Sequence, residues 1–188
     1  MIKLYEEKDY ENAYKLKKKL FTVYMVILGV TLAACAVFFT LFMLLPFAYN
    51  AEIRFQKNLY LFIDCALSAA FIIFSVVYLS IPYKRAKYYF KMLDDTKTGD
   101  KQLNESTFLQ NESYISEVRY VDYRIMAVLE WSPKKQEYLR RNVLVDKEKE
   151  MPNLKSGDII VYTTHANVLL SYGLKSEEVV FEDFENEK

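Results

Sequence analysis

Three features of the sequence predict an α+β membrane protein, built as a two-helix transmembrane hairpin followed by a small cytoplasmic β-barrel-like domain of OB or SH3 type. Two apolar runs are long enough to span a bilayer, lysines gather on the same side of both, and the second half changes to a two-residue alternation. The average composition conceals this layout. Of 188 residues, 52% are hydrophobic and 27% charged, and the net charge is zero. Apolar and charged residues are segregated along the chain, so the averages describe neither half. A neutral total carries no electrostatic footprint for nucleic acid, and no nucleic-acid partner is expected.

Residues 1–19 read as a cytoplasmic, amphipathic and basic helix. Tyr10, Ala13, Tyr14 and Leu16 roughly follow helical spacing, and Lys15, Lys17, Lys18 and Lys19 close the segment. Residues 20–46 form the first predicted span. No charge interrupts Leu20 to Leu45, a stretch longer than the about 20 residues a span needs, and Pro46 ends it. A cleaved signal peptide has a shorter apolar core and a small-x-small site, so the run reads as a retained anchor. Residues 47–58 are too few for a domain and make a short extracytoplasmic loop. Residues 59–82 form the second span, closed by Pro82, and residues 83–100 continue as a cytoplasmic helix and linker.

Orientation follows the lysine and arginine distribution. Lys15 to Lys19 stand before the first span and Lys84, Arg85, Lys87 and Lys91 after the second, against only Arg54 and Lys57 in the loop. Basic residues stay in the cytoplasm, so a multi-pass protein of the plasma membrane with both termini inside is expected. Gly29, Ala33 and Ala36 on the first span, with Ala66, Ala69 and Ala70 on the second, offer small faces for close helix packing. Asp64 is the one charge within a span. Near its outer end, it is expected to form a polar site at the membrane interface with Arg54 or Lys57.

The β domain occupies residues 101–175. Val121, Tyr123, Ile125, Ala127, Leu129 and Trp131 alternate with mostly polar neighbours, Met126 and Val128 excepted. That predicts a half-buried strand with the odd positions facing the core. Ser132-Pro133-Lys134-Lys135 turns the chain into a returning strand, and a second hairpin pivots on His165-Ala166-Asn167. An earlier strand is expected near Tyr114–Tyr120. Residues 176–188 form an acidic tail.

The chemistry-bearing residues are sparse. Four glycines, Gly29, Gly99, Gly157 and Gly173, cannot build a phosphate loop. His165 is the one histidine and has no cysteine near it in sequence, so no metal site is expected. Cys35 and Cys65 both lie in apolar runs, as small hydrophobes do. No catalytic residue, cofactor or metal is assigned. The expected function is non-enzymatic: a hairpin anchored in the lipid bilayer and holding a β domain for binding a protein partner or further copies of itself. The alternatives are an oligomeric channel or transporter component, and a membrane-associated enzyme. The abundance of lysine, tyrosine, phenylalanine and isoleucine suits a bacterial protein.

Overall fold

The computed structural model describes residues 1–46 and 50–175. The expected acidic tail and the loop residues Phe47, Ala48 and Tyr49 lie outside them. The chain divides into two compact units. One is Ala13–Lys87; the other joins Met1–Asn12 to the chain from Tyr88 onward.

The first unit is a pair of helices. Helix α1, Glu7–Leu44, opens with Glu7 and Asp9 in its first turn, where carboxylates suit the positive end of the helix dipole. The Asp9 carboxylate also accepts a hydrogen bond from the Glu6 amide at 2.8 Å, which caps the start. Helix α2, Ala51–Tyr78, is capped by Asn50, whose side chain accepts from the Glu52 amide at 3.1 Å. Pro82 does not end the helical path. It sits inside a π-helical turn, Leu79–Tyr83, whose wider spacing absorbs the missing amide, and α3, Lys84–Thr98, follows directly. The stretch from Asp94 that reads as a linker is therefore helical as far as Thr98.

The seam between α1 and α2 is antiparallel and aromatic. Tyr24 stacks on Phe71 and on Tyr78, each at 6.1 Å, and Phe38 meets Tyr60 at 6.4 Å. The Tyr78 hydroxyl donates to the Leu20 carbonyl at 3.0 Å, and Cys35 Sγ lies 3.7 Å from Ser68 Oγ. Gly29, Ala33, Ala36, Ala66 and Ala70 are all exposed, and nothing lies within 4 Å of where a Gly29 side chain would stand. The ring contacts and hydrogen bonds of the seam run through larger side chains. Both helices are long and apolar enough to cross a membrane, and none of their most apolar stretch is buried within the chain.

The second unit is a closed five-stranded barrel. Its strands are β2 (Gln102–Val118), β3 (Val121–Ser132), β4 (Glu137–Asp146), β5 (Ile159–His165) and β6 (Val168–Leu174). They run in the order β6-β4-β3-β2-β5, and β5 pairs with β6 to complete the circle; a two-residue strand β1, Ile2–Lys3, adds to β6. Every pairing is antiparallel except β4 with β6, which touch at Leu144 and Val168. Strand β2 is the longest. Its first half pairs with β5 and its second with β3, and register shifts after Phe108 and Asn111 mark the bend. It begins well before Tyr114, because its polar alternation (Asn104, Glu105, Gln110, Glu112) leaves little apolar signal.

Burial on β3 differs from the alternation in the sequence. The barrel is filled by the even side, Met126 and Val128, with Phe108, Val143, Val145, Ile160, Tyr162 and Leu169. The odd side, Val121 and Tyr123, is buried outside the barrel against Tyr5, Tyr88, Tyr89 and Met92. The strand is apolar on both faces because the N-terminal segment and α3 cover its outer one. Trp131 lies beyond that cover, half exposed, in a T-shaped pair with Tyr138 at 5.0 Å.

Gly99 ends α3 where the His165 ring packs. A Cβ there would collide with that ring and with the Asp95 carbonyl. Gly99→Ala is therefore expected to destabilise the barrel unit by about 1–3 kcal/mol, the usual cost of overpacking. Chemical denaturation followed by circular dichroism checks this, and a variant as stable as the parent would show that the close approach carries no weight.

Candidate functional site

Two polar groupings stand out in the barrel unit. The first surrounds Asp146, whose carboxylate is buried at the end of β4. It accepts from the Tyr89 hydroxyl at 2.8 Å and from the Glu148 amide at 3.0 Å. Lys149, three residues on, reaches the start of α1 and meets Asp9 at 2.6 Å, while its ammonium stands 5.5 Å over the Tyr5 ring. The Tyr5 hydroxyl is buried with no hydrogen-bond partner among the described residues. On the exposed side, Lys97 pairs with Glu7 at 2.7 Å. These contacts fasten the N-terminal segment and α3 to the barrel.

Burial and charge raise the tyrosines of this grouping, and hydrogen bonds and charge lower its paired carboxylates. Burial, reinforced by the Asp146 charge, raises the hydroxyls of Tyr5 and Tyr89 well above the ordinary tyrosine range. The same two causes push Tyr123 up to about 12, against a lowering pull from Arg119. All three stay protonated at neutral pH and are poor bases there. Partial burial works to raise Asp9, but the Glu6 amide and the Lys149 and Lys8 charges outweigh it and hold the carboxyl below its usual value. The hydrogen bond and charge of Lys97 lower Glu7, and Glu7 in return raises Lys97.

The second grouping lines a cavity of about 460 Å³ between α3 and two tight turns. The β2–β3 turn holds Arg119 and Tyr120 at φ of 52° and 66°; the β5–β6 turn holds Ala166 and Asn167 at 46° and 70°. Paired left-handed residues are the signature of type I′ hairpins, which match the twist of the strands they join. The second turn is tied down further, since Asn167 donates to the Asn142 carbonyl at 2.6 Å and accepts from Arg141 at 3.1 Å. His165 bonds the Asp100 carbonyl through Nδ1 at 2.8 Å. A carbonyl only accepts, so Nδ1 carries the proton and Nε2 is left as an acceptor.

The residues singled out from sequence are placed elsewhere. Asp64 lies in the helix seam beside Cys35, and one of its carboxylate oxygens is buried without a hydrogen-bond partner. Lys57 donates to the Leu45 carbonyl at 3.4 Å and stands 4.8 Å over the Phe42 ring. Arg54 lies in the second turn of α2, its amide bonded to the Asn50 carbonyl. Both cysteines are free thiols. No cluster of three histidine, cysteine or carboxylate side chains suited to a metal occurs among the described residues. Sequence reasoning missed the cavity because its walls come from α3 and two hairpin turns far apart in the chain; the one local signal was the pairing of Ala166 and Asn167 after His165.

No protein-family profile, curated protein or solved structure matches this chain. Its function is argued from its own residues.

Raised tyrosine pKa values set an alkaline limit on stability. The Tyr123 hydroxyl ionises near 10 in the unfolded chain and near 12 in the folded one. Above about pH 10 the unfolded state loses its proton first, so stability present below that pH falls as pH rises towards 12. Melting temperature measured from pH 8 to 12 is expected to drop in this window and to drop less in Tyr123→Phe; an identical pH profile in the variant would refute the assignment.

Proposed function

We propose that this chain is a non-enzymatic, multi-pass protein of the plasma membrane. Its hairpin crosses the bilayer with both termini in the cytoplasm, and its barrel serves protein–protein interaction or self-assembly. The observation that carries this reading is the outer surface of α1 and α2. Side chains such as Val30, Phe62 and Ile73 are more than 60% exposed, and nothing among the described residues covers them. An apolar surface of that extent is stable in lipid and not in water. The lysine-rich flanks support the orientation.

The barrel reads as OB-like. A closed Greek-key barrel of five strands, antiparallel apart from one parallel contact between the third and the last, is the arrangement of that fold. Its exposed aromatics support a docking role. Trp131 and Tyr138 are 50% and 65% exposed as a cross-strand pair, and Tyr114 and Ile115 stand out from β2. Aromatic anchors of this kind dominate protein interfaces.

The protein is expected to remain with membranes after alkaline carbonate washing, and a tag at its carboxyl end to resist protease added to intact cells. Digestion of that tag from outside would overturn the orientation. Extraction in mild detergent is expected to yield a defined oligomer or a bound partner that is lost in Trp131→Ser with Tyr138→Ser. A monodisperse monomer would sink the interaction role.

A second reading, an oligomeric channel or transporter component, is favoured by Asp64, whose unpartnered oxygen sits in the seam. A carboxylate there is costly and usually functional. Ion flux through reconstituted vesicles is expected to change in Asp64→Asn; equal flux would remove the support for this reading.

A further inference from the structure

We infer that the cavity between α3 and the β2–β3 and β5–β6 turns is a binding site for a small organic anion carrying an apolar ring or chain. Its volume, about 460 Å³, falls within the about 300–1,000 Å³ of small-molecule sites. The floor is apolar: Val121, Leu144 and Val168 from three strands, with Met92 from α3. Lys91 and Arg119 stand at the walls. Neither cation forms an ion pair among the described residues, whereas Arg140, Arg141, Lys147 and Lys149 of the same unit all meet carboxylates.

Asp95, one helical turn from Lys91, is the single carboxylate in the lining, so the charge facing the space is positive. His165 lines the same space and adds a polar ring to its wall. This combination selects among ligands. A small inorganic anion would pair with the cations but leave the apolar floor wet. A neutral apolar molecule would cover the floor while desolvating two cations without compensation. An anion joined to an apolar body satisfies both.

The walls are also preorganised. Both turns are two residues long, the second is held by Asn167, and the His165 ring is wedged against Gly99. Little further ordering is needed when a ligand enters, which lowers the cost of binding.

Phenyl phosphate is a suitable probe, with inorganic phosphate and phenol as its two halves. The untagged full chain, in nanodiscs of zwitterionic lipid, would be titrated by calorimetry and by NMR. His165 is the one histidine, so its two carbon-bound ring protons give signals that report on this cavity alone. Phenyl phosphate is expected to bind saturably and shift those signals, with neither half doing so at the same concentration. Lys91→Gln with Arg119→Asn, the latter tolerant of a left-handed backbone, is expected to weaken binding at least tenfold, as losing charged hydrogen bonds does. Should that pair disturb folding, Val118→Glu at the cavity edge adds a repelling charge and is expected to abolish the shift. Absence of saturable binding, an equal response to inorganic phosphate, or undiminished binding in a folded variant would each overturn the proposal.

Discussion

The structure depends on apolar surface that the described residues leave uncovered. In α1 and α2 the most apolar stretches have no buried residue, so the usual driving force of folding, removal of such surface from water, is not spent inside the molecule. The seam is consequently organised by geometry. Stacked tyrosines and phenylalanines fix the register, and the Tyr78 hydroxyl and the Cys35–Ser68 contact supply the polar fastenings. Helices packed through large rings stand farther apart than helices packed through glycine and alanine. Asp64 lies beside Cys35 in the same seam.

The barrel unit meets the opposite condition. A strand of a small barrel ordinarily buries one face and wets the other, but β3 buries both. Met126 and Val128 fill the interior while Val121 and Tyr123 pack beneath Tyr5, Tyr88 and Met92. The N-terminal segment and α3 thus act as a second layer, and polar contacts pin that layer in place: Tyr89 to Asp146, Lys149 to Asp9 and Lys97 to Glu7. The exposed Lys97–Glu7 pair contributes little by itself. The buried Asp146 matters more, because a carboxylate in that position without its donors would destabilise the barrel.

The two helices and the hairpins of the barrel were legible in the sequence because each rests on a local signal. Length and lack of charge mark the helices, and two-residue alternation marks β3 and β4. The double burial of β3 was written there too, in Met126 and Val128, which look like breaks in a pattern and are in fact the second core face. What could not be read required distant partners. Nothing in Tyr5 announces that it packs on β3, and nothing in Asp9 that it meets Lys149 beyond the end of β4, each more than a hundred positions away. Pro82 looked like a helix end because its missing amide normally breaks the ladder; the π turn that absorbs it is a property of the surrounding helix and leaves no mark in composition. The cavity was hidden for the same reason, with Lys91, Arg119 and His165 assembled from three separate elements.

Comparison of the two polar groupings separates structure from function within the barrel unit. Around Asp146 almost every group has a partner: Tyr89 donates, the Glu148 amide donates, and Lys149 closes on Asp9. A network so nearly satisfied rigidifies what it joins and leaves little for a ligand to add. Tyr5 is the one exception, and its hydroxyl is sealed from solvent. The cavity is the reverse. Lys91 and Arg119 converge on an apolar floor without ion pairs, and the turns behind them are fixed by left-handed residues and by Asn167. Lys91 and Arg119 are exposed, so water meets their charge at little cost to folding, and an entering anion would take the place of that water. The open space beside those cations is the departure from close packing in the barrel unit, and it lies where α3 meets the two turns.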